Sequence, residues 1–391
     1  RRTIYDDRYK RLNSTEITRM HNQAFSPVQG QRERYRLTQN QQAIWLDEVV
    51  YGASSMYNIG ARYTITGALQ ASVLAQAIEY VVAGNENFGI RFQRNSEEEA
   101  VQTFEPQTDF RTPMIDFSGT EDAEARCLAW MDERFEQPFA LYDAPLYDFV
   151  ILKVSEEQFF FLMKAHHLIL DGWGFSLFVR AARERYNALC GQAEAESRTF
   201  PYSVYINSEG QYEESAAFGQ DRDYWVKKFE QLPSLLRERA SGPSGQLSLG
   251  TVHRKERVIS RSLTEKIART AEQLGVSTLH CWLGVWSVYF YRTTGQPDFC
   301  IGIPVLNRSG QQQRNTPGLF AGSTPLLVNI DEQLSFGELC QNIRKTLRSD
   351  YRHQRYPLQS LTRELSSLTR GERPLFDVSL SYMTQDLELS L

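Results

Sequence analysis

The sequence predicts a mixed α+β (α/β) protein built from two comparable parts. Three observations carry this. The chain has 391 residues, more than one compact core usually organises. Stretches with apolar residues at helical spacing alternate along it with short strand-like runs. The alternation seen before residue 240 recurs after it, although no sequence repeat accompanies it. The expected divisions are a lead-in over residues 1–35, a first part over 36–240 and a second over 241–391.

Each element has its own signal. Residues 1–35 show little periodicity. A helix starts near Thr38 and runs through Ile44, Trp45, Val49 and Val50. Arg62 to Ile65 reads as a strand. Val73, Leu74, Ala77, Ile78, Val81 and Val82 lie on one helical face between Leu69 and Val82. Phe88, Ile90 and Phe92 alternate with Gly89 and Arg91, as in a half-buried strand. Ala123 to Phe135 is helical again. Leu146 to Val154 and Gln158 to Lys164 form an antiparallel pair across Ser155-Glu156-Glu157. A helix follows in which Phe175, Phe178, Val179, Ala182, Tyr186 and Leu189 share a face. Residues 190–250 are polar and irregular, apart from an amphipathic piece from Asp223 to Leu236. Ser241-Gly242-Pro243-Ser244-Gly245 marks the crossover to the second part. There the pattern gives a strand near 251–260, helices near 263–274 and 277–293, strands at Phe299 to Leu306 and Thr324 to Ile330, and a helix from Phe336 to Tyr351.

Composition narrows the function. Apolar residues make up 41%, aromatic residues 12% and charged residues 23%, as in an ordinary globular protein. No uninterrupted apolar run is long enough to cross a bilayer, and Arg1-Arg2-Thr3-Ile4-Tyr5 lacks the apolar stretch of a signal peptide. The five cysteines, Cys127, Cys190, Cys281, Cys300 and Cys340, are scattered and include no CxxC pair, which suggests neither a disulfide framework nor a cysteine metal site. A cytoplasmic location is the expectation. Net charge is −5 but uneven: residues 1–36 hold nine Lys/Arg against four Asp/Glu, +5, and the remainder 34 against 44, −10. An acidic body argues against a nucleic-acid binder, whose affinity comes mostly from phosphate neutralisation. The basic leader reads as a solvated linker or helix, with a docking segment as the alternative.

The chemistry concentrates in one stretch, Lys164-Ala165-His166-His167-Leu168-Ile169-Leu170-Asp171-Gly172-Trp173, which follows the buried-looking run Phe159 to Met163. Imidazoles exchange protons near neutral pH, so the pair suggests acid/base chemistry or a metal. A two-histidine metal site on a helix wants a spacing of three or four, and no third ligand lies nearby, so no metal is expected. Neighbouring strand residues point to opposite faces. One histidine therefore packs inward and the other reaches a cavity, unless the chain turns there. Asp171 is expected to fix the loop by pairing with an arginine. Gly172 is expected to allow a backbone conformation that other residues resist and to open a helix whose free amides favour negative charge. Two plain core histidines before a glycine turn are the rival reading; the whole constellation weighs against it.

This stretch resembles the His-His-x-x-x-Asp-Gly signature of nonribosomal peptide synthetase condensation domains, members of the chloramphenicol acetyltransferase-like superfamily. Other segments match in order. Thr38-Gln39-Asn40-Gln41-Gln42-Ala43-Ile44-Trp45 resembles the family's opening Ser-x-Ala-Gln-x-Arg-Leu-Trp. Pro317-Gly318-Leu319-Phe320-Ala321-Gly322-Ser323-Thr324-Pro325-Leu326 resembles Ile-Gly-x-Phe-Val-Asn-Thr-x-Pro-Leu. His353-Gln354-Arg355-Tyr356-Pro357 resembles His-Gln-Asp-Tyr-Pro, Pro374-Leu375-Phe376-Asp377-Val378 resembles Asn-Pro-Leu-Phe, and Asp223-Tyr224-Trp225 fits the pattern between the two parts. The resemblance covers about residues 36 to 391. There are departures. The Arg-His-Glu-x-Leu-Arg-Thr-x-Phe segment appears as Gly84 to Phe92 with Gly89 in place of its second arginine, a usual partner of the signature aspartate; Arg91, two residues on, is the expected substitute. Gly322 replaces an asparagine, and the Tyr-x-Asp segment survives only as Tyr202-Ser203-Val204. Asp386 to Leu391 resembles a later strand, which points to a missing loop near 383–386.

The resemblance implies two chloramphenicol-acetyltransferase-like lobes in a V arrangement with a central tunnel. It implies amide-bond formation between a carrier-bound or coenzyme A-bound acyl or peptidyl donor and a carrier-bound aminoacyl acceptor, including a starter role that N-acylates the first amino acid. His167 is implied as the catalytic group, acting as base or positioning the amine. His166, Asp171 and Gly172 are implied as motif support, and Trp173 is a candidate pocket wall or core residue. Arg180, Arg183 and Arg185 are candidate carrier contacts, with a solvated helix face as the plainer reading. No cofactor is expected to do chemistry; phosphopantetheine arrives on carrier proteins. Implied partners are upstream and downstream carriers, an adjacent adenylation domain and acyl-coenzyme A, with no nucleic acid and no membrane. The rivals are an ester-forming or stand-alone acyltransferase, an epimerisation domain and a non-catalytic carrier-binding platform. A cyclisation domain is disfavoured, because it normally carries aspartates where His166 and His167 sit.

Overall fold

Thr38 stops a strand and starts a helix. Its side chain accepts from Gln41 N at 3.2 Å, and the Gln41 side chain accepts from Thr38 N at 2.9 Å. This reciprocal box satisfies two of the donors that every helix start leaves open. Strand β1 (Tyr35–Arg36) precedes it and α1 (Gln39–Tyr51) follows. The computed structural model describes residues 33–52, 54–95, 99–192, 199–236, 253–369 and 374–383. The basic lead-in up to residue 32, the Ser241–Gly245 crossover and the segment from residue 384 onward, where a missing loop was expected, lie outside the described residues.

The chain forms two compact units that do not follow a single cut near residue 240. Among the described residues, the first takes those up to Gln211 together with Arg308–Phe320; the second takes those of Tyr212–Asn307 together with those from Ala321 to Met383.

In the first unit, β2 (Asn58–Thr66), β5 (Met114–Asp116), β6 (Tyr147–Ser155) and β7 (Gln158–His166) form a sheet in the order β2-β7-β6-β5. β7 is central, antiparallel to both neighbours, and registers Asn58 opposite His166. A second sheet has the order β1-β4-β3, with β3 (Ile90–Arg94) and β4 (Ala100–Phe104). Helices α2 (Ala71–Ala83), α3 (Ala123–Glu136) and α4 (Gly172–Leu189) complete the unit, with α5 (Tyr202–Glu213) as far as Gln211. Phe159, Phe161, Met163 and Ala165 face one core, shared with Leu74, Ile78 and Val82 of α2 and Phe178 of α4. Phe160 and Leu162 face another, shared with Cys127 and Met131 of α3. Burial on both faces explains why Phe159 to Met163 is uniformly apolar.

In the second unit, β8 (Asp298–Val305) and β9 (Gly322–Asn329) pair antiparallel. Their apolar residues pack with Leu283 of α8 (Thr278–Thr294) and Leu339, Ile343 and Leu347 of α9 (Phe336–Asp350). Helices α6 (Ala216–Lys228), α7 (Arg261–Gln273) and α10 (Leu358–Thr369) also belong to it. Trp225 and Phe229 anchor a further cluster with Tyr356, Leu361 and Leu375.

Three expectations change. The described part of residues 190–250 is not largely irregular: α5 and α6 fill most of it, and the amphipathic piece from Asp223 ends as helix at Lys228. The strand expected over Phe88 to Phe92 begins only at Ile90, after a 3₁₀ turn at Glu86–Gly89, and Phe88 to Phe92 is buried throughout rather than half-buried. The described part of the strand near 251–260 is not a strand. Every residue from 253 to 260 is exposed, and with no ladder partner among the described residues its backbone groups are left to water.

Replacing Thr38 with Ala removes one half of the reciprocal box. It is expected to destabilise the protein by about 1 kcal/mol, read as a lower urea midpoint at unchanged slope.

Candidate active site

Strand β7 ends at His166, and the chain turns at once. His166 N donates to Leu146 O at 2.8 Å, closing the ladder, and His167 N donates to Tyr57 O at 2.8 Å. Ile169 N returns to His166 O at 3.1 Å. This turn separates the two imidazoles. His166 is buried, 2% exposed, with the rings of Tyr57 and Phe139 at 6.2 Å. Its Nδ1 accepts from Leu168 N at 3.2 Å, and its Nε2 lies 3.4 Å from Glu48 Oε1.

His167 is only partly buried. Its Nδ1 lies 2.9 Å from Leu170 O. A carbonyl oxygen only accepts, so Nδ1 carries the ring proton and Nε2 keeps its lone pair. Burial pushes the pKa below the ordinary 6.5, against the opposing pull of the Asp171 carboxylate. Near pH 7 the ring is therefore a neutral imidazole with Nε2 as its acceptor.

Asp171 caps α4 and is fully buried. Its Oδ1 accepts from Gly174 N at 2.8 Å and its Oδ2 from Phe320 N at 3.0 Å. Arg308 Nη2 lies 2.9 and 3.0 Å from the two oxygens. Arg308 is itself held by the carbonyls of Gln313, Thr316 and Gly318, and its guanidinium lies 3.9 Å from the centre of the Phe320 ring. Gly318 O also accepts from Asp171 N at 3.2 Å. Gly318 has φ 153°, and a Cβ there meets the Tyr202 ring at 2.2 Å, so only glycine lets this carbonyl reach both partners.

Arg91 is not the partner of Asp171. It is turned to the Phe88 and Ile90 carbonyls, to Gln107 Oε1 at 3.0 Å and to Glu105 at 3.4 Å. Nor can Gly89 take a longer side chain in place: a Cβ there stands 2.1 Å from Glu105 O, where the backbone of the two segments is joined by a Glu105 N to Gly89 O bond of 2.8 Å. Sequence reasoning placed the arginine on the wrong segment; Arg308 supplies it. Sequence reasoning also missed Glu48, Gln41 and Asn40. Gln41 Nε2 donates to Leu168 O at 3.0 Å and Asn40 Nδ2 to Phe320 O at 2.8 Å. The available signal was the opening segment of α1, Gln39-Asn40-Gln41-Gln42.

Gly172 opens α4 as expected, but its φ is not positive. It is exposed, and a Cβ there meets no atom within 4 Å. Neither its backbone shape nor crowding therefore requires glycine at this position. Trp173 is also exposed and donates from Nε1 to Arg314 O at 2.8 Å. On α4, Arg180 faces Glu184 at 3.9 Å, Arg183 is half-buried, and Arg185 lies 4.2 Å from the Tyr80 ring centre. Among the described residues no group of His, Cys, Asp and Glu side chains could hold a metal ion.

Breaking a buried ion pair leaves one charge stranded, so Arg308→Met is expected to cost about 3–5 kcal/mol, whereas Arg91→Met leaves Asp171 fully paired and costs less. Denaturant melts of the two variants check this order. His167 sets a separate pH dependence. As pH falls below 6.5 the unfolded chain takes the proton first, so the folded state loses stability until the lowered His167 pKa is passed. His167→Gln is expected to remove that part of the acid loss in the same melts.

Comparison with known proteins follows this geometry. The family model of the condensation domain matches residues 31–390. The chain is 29% identical over 372 residues to an isonitrile lipopeptide synthase of Streptomyces coeruleorubidus, covering 94% of this chain and 25% of that protein. It is 28% identical over 359 residues to a dimodular nonribosomal peptide synthase of Bacillus subtilis (strain 168), covering 91% of this chain and 15% of that protein. It therefore spans a quarter or less of these relatives. Among solved structures, the first condensation domain of the calcium-dependent antibiotic synthetase, in complex with a substrate analogue, matches with TM-score 0.77 at 25% identity, over 89% of this chain and 80% of that one. A mutant of the starter condensation domain of rhizomide synthetase, in complex with C8-CoA, matches with TM-score 0.76 at 26% identity, over 90% of this chain and 78% of that one. The family match spans nearly the whole chain, and this chain belongs to the condensation-domain family of nonribosomal peptide synthetases.

Proposed function

We propose that the chain forms amide bonds between a thioester-bound acyl or peptidyl donor and a carrier-bound aminoacyl acceptor. The observation that carries this is the bare Nε2 of His167, fixed by the Nδ1 bond to Leu170 O. The acceptor amine attacks the thioester carbonyl carbon, the C–N bond forms, the C–S bond breaks, and the amine proton ends on the departing thiol. His167 Nε2 accepts from the attacking amine and passes the proton on, or holds the amine by that bond. The Gly172 amide, at the exposed start of α4, offers a donor for the developing oxyanion. The donor and acceptor arrive on tethers, which supplies effective concentration, and the chemistry draws on no cofactor of the domain itself.

The likeness to a starter domain in complex with C8-CoA supports acyl-coenzyme A as one donor, alongside an acylated carrier. The remaining partners are the carriers and an adenylation domain of a cytoplasmic assembly line. For carrier contact, Arg180 and Arg183 are the candidates on α4. Arg185 is a poorer one, because its guanidinium is stacked on Tyr80.

Carrier proteins charged with candidate acyl and aminoacyl groups, mixed with the domain, are followed by intact mass. An amide that disappears in folded His167→Ala supports the reading. An ester, an inverted stereocentre or no turnover points instead to an ester-forming domain, an epimerisation domain or a carrier-binding platform. Burial lowers the His167 pKa, so in a ¹⁵N titration the ring should still be neutral at pH 6.5. A ring that is half protonated above pH 6.5 would contradict a neutral His167.

A further inference from the structure

Glu48 is 118 residues from His166 in sequence, yet its Oε1 lies 3.4 Å from His166 Nε2. Its side chain is 5% exposed, and a carboxylate removed from water needs a donor. The ring supplies one. Leu168 N–H can only donate, so the His166 Nδ1 that it meets at 3.2 Å is the acceptor and the ring proton sits on Nε2, toward Glu48. Helix α1 therefore grips Leu168 twice. Gln41 holds its carbonyl at 3.0 Å, and Glu48 holds its amide through His166. The same turn ends two residues later at the carbonyl that takes the His167 Nδ1 proton. The surroundings keep the ring in place: Tyr57 and Phe139 close on it, and Phe139 carries Lys164 Nζ at 4.5 Å from its ring centre.

We propose that Glu48 is a positioning residue for the amide-forming centre: by accepting from His166 Nε2–H it keeps Nδ1 bare toward Leu168 N–H and so holds the turn that aims His167. The proposal rests on the reading of His167 given above. Without the carboxylate a buried N–H is left unmade, and the ring can recover a partner only by turning or by moving its proton. Either response releases Leu168 N–H. A displaced imidazole then meets the amine at the wrong distance.

The test uses the wild type and two variants. In ¹⁵N spectra of the wild type, His166 should show a protonated Nε2 and a bare Nδ1, with the Leu168 amide slow to exchange. Glu48→Gln keeps an acceptor oxygen and is expected to hold kcat within about threefold. Glu48→Leu keeps the size and loses the acceptor; kcat should fall about 10- to 100-fold, at nearly unchanged KM, with faster Leu168 exchange. A wild-type proton on Nδ1 overturns the proposal whether or not either variant folds. So does a folded Glu48→Leu with wild-type kcat and exchange, or a Glu48→Gln as impaired as Glu48→Leu. Failure of the amide-forming reading shows separately, as a wild type without product, and the ring spectra and Leu168 exchange still decide the role of Glu48.

Discussion

One buried carboxylate organises the signature turn. Asp171 is removed from water, and its charge is met by the Arg308 guanidinium and by two backbone amides, Gly174 N and Phe320 N. A buried pair is stabilising only when its geometry and its extra hydrogen bonds offset desolvation. Here the arginine is held as well: its Nη1 donates to the Gln313 and Thr316 carbonyls, and its Nη2, which faces Asp171, also donates to the Gly318 carbonyl. The result joins the short turn between β7 and α4 to a segment far away in sequence, residues 308–320. It also explains why that segment belongs to the first compact unit although the chain on both sides of it belongs to the second.

The chemistry follows from that anchor. With Asp171 fixed, Leu170 and its carbonyl are fixed, and the carbonyl sets which His167 nitrogen carries the proton. The two histidines are adjacent in sequence and opposite in role. His166 spends both nitrogens on structure, and His167 spends one and keeps one. Burial holds His167 unprotonated near neutrality, while the nearby Asp171 charge limits how far its basicity falls. A group that is deprotonated at working pH and still basic enough to accept from an amine is what acyl transfer to nitrogen needs.

Much of this was legible in the sequence because its signals are local. The β6–β7 hairpin, the helix after Gly172 and the histidine pair each occupy a short stretch with its own pattern. The partners of the site were not, because they are distant: Arg308 lies 137 residues from Asp171, and Glu48 lies 118 from His166. Arg91 was the natural choice from spacing along one strand. Its guanidinium is instead consumed by Glu105, Gln107 and two carbonyls. Helix α5 escaped for another reason. Its buried positions Tyr202, Tyr205 and Tyr212 carry hydroxyls that bond to Leu319 O, Glu209 and Asp221, so a buried face reads as a polar one. Residues 253–260 misled in the opposite direction, since extended-looking sequence does not supply a ladder partner.

The central claim is that the Asp171–Arg308 pair fixes the turn that leaves His167 Nε2 bare. ¹⁵N spectra of the His167 ring near pH 7.5, in the wild type and in folded Arg308→Met, test it most directly. The account predicts a proton confined to Nδ1 in the wild type and a mixture of the two ring tautomers in the variant. A wild-type proton on Nε2, or a ring signature that Arg308→Met leaves unchanged, would contradict it.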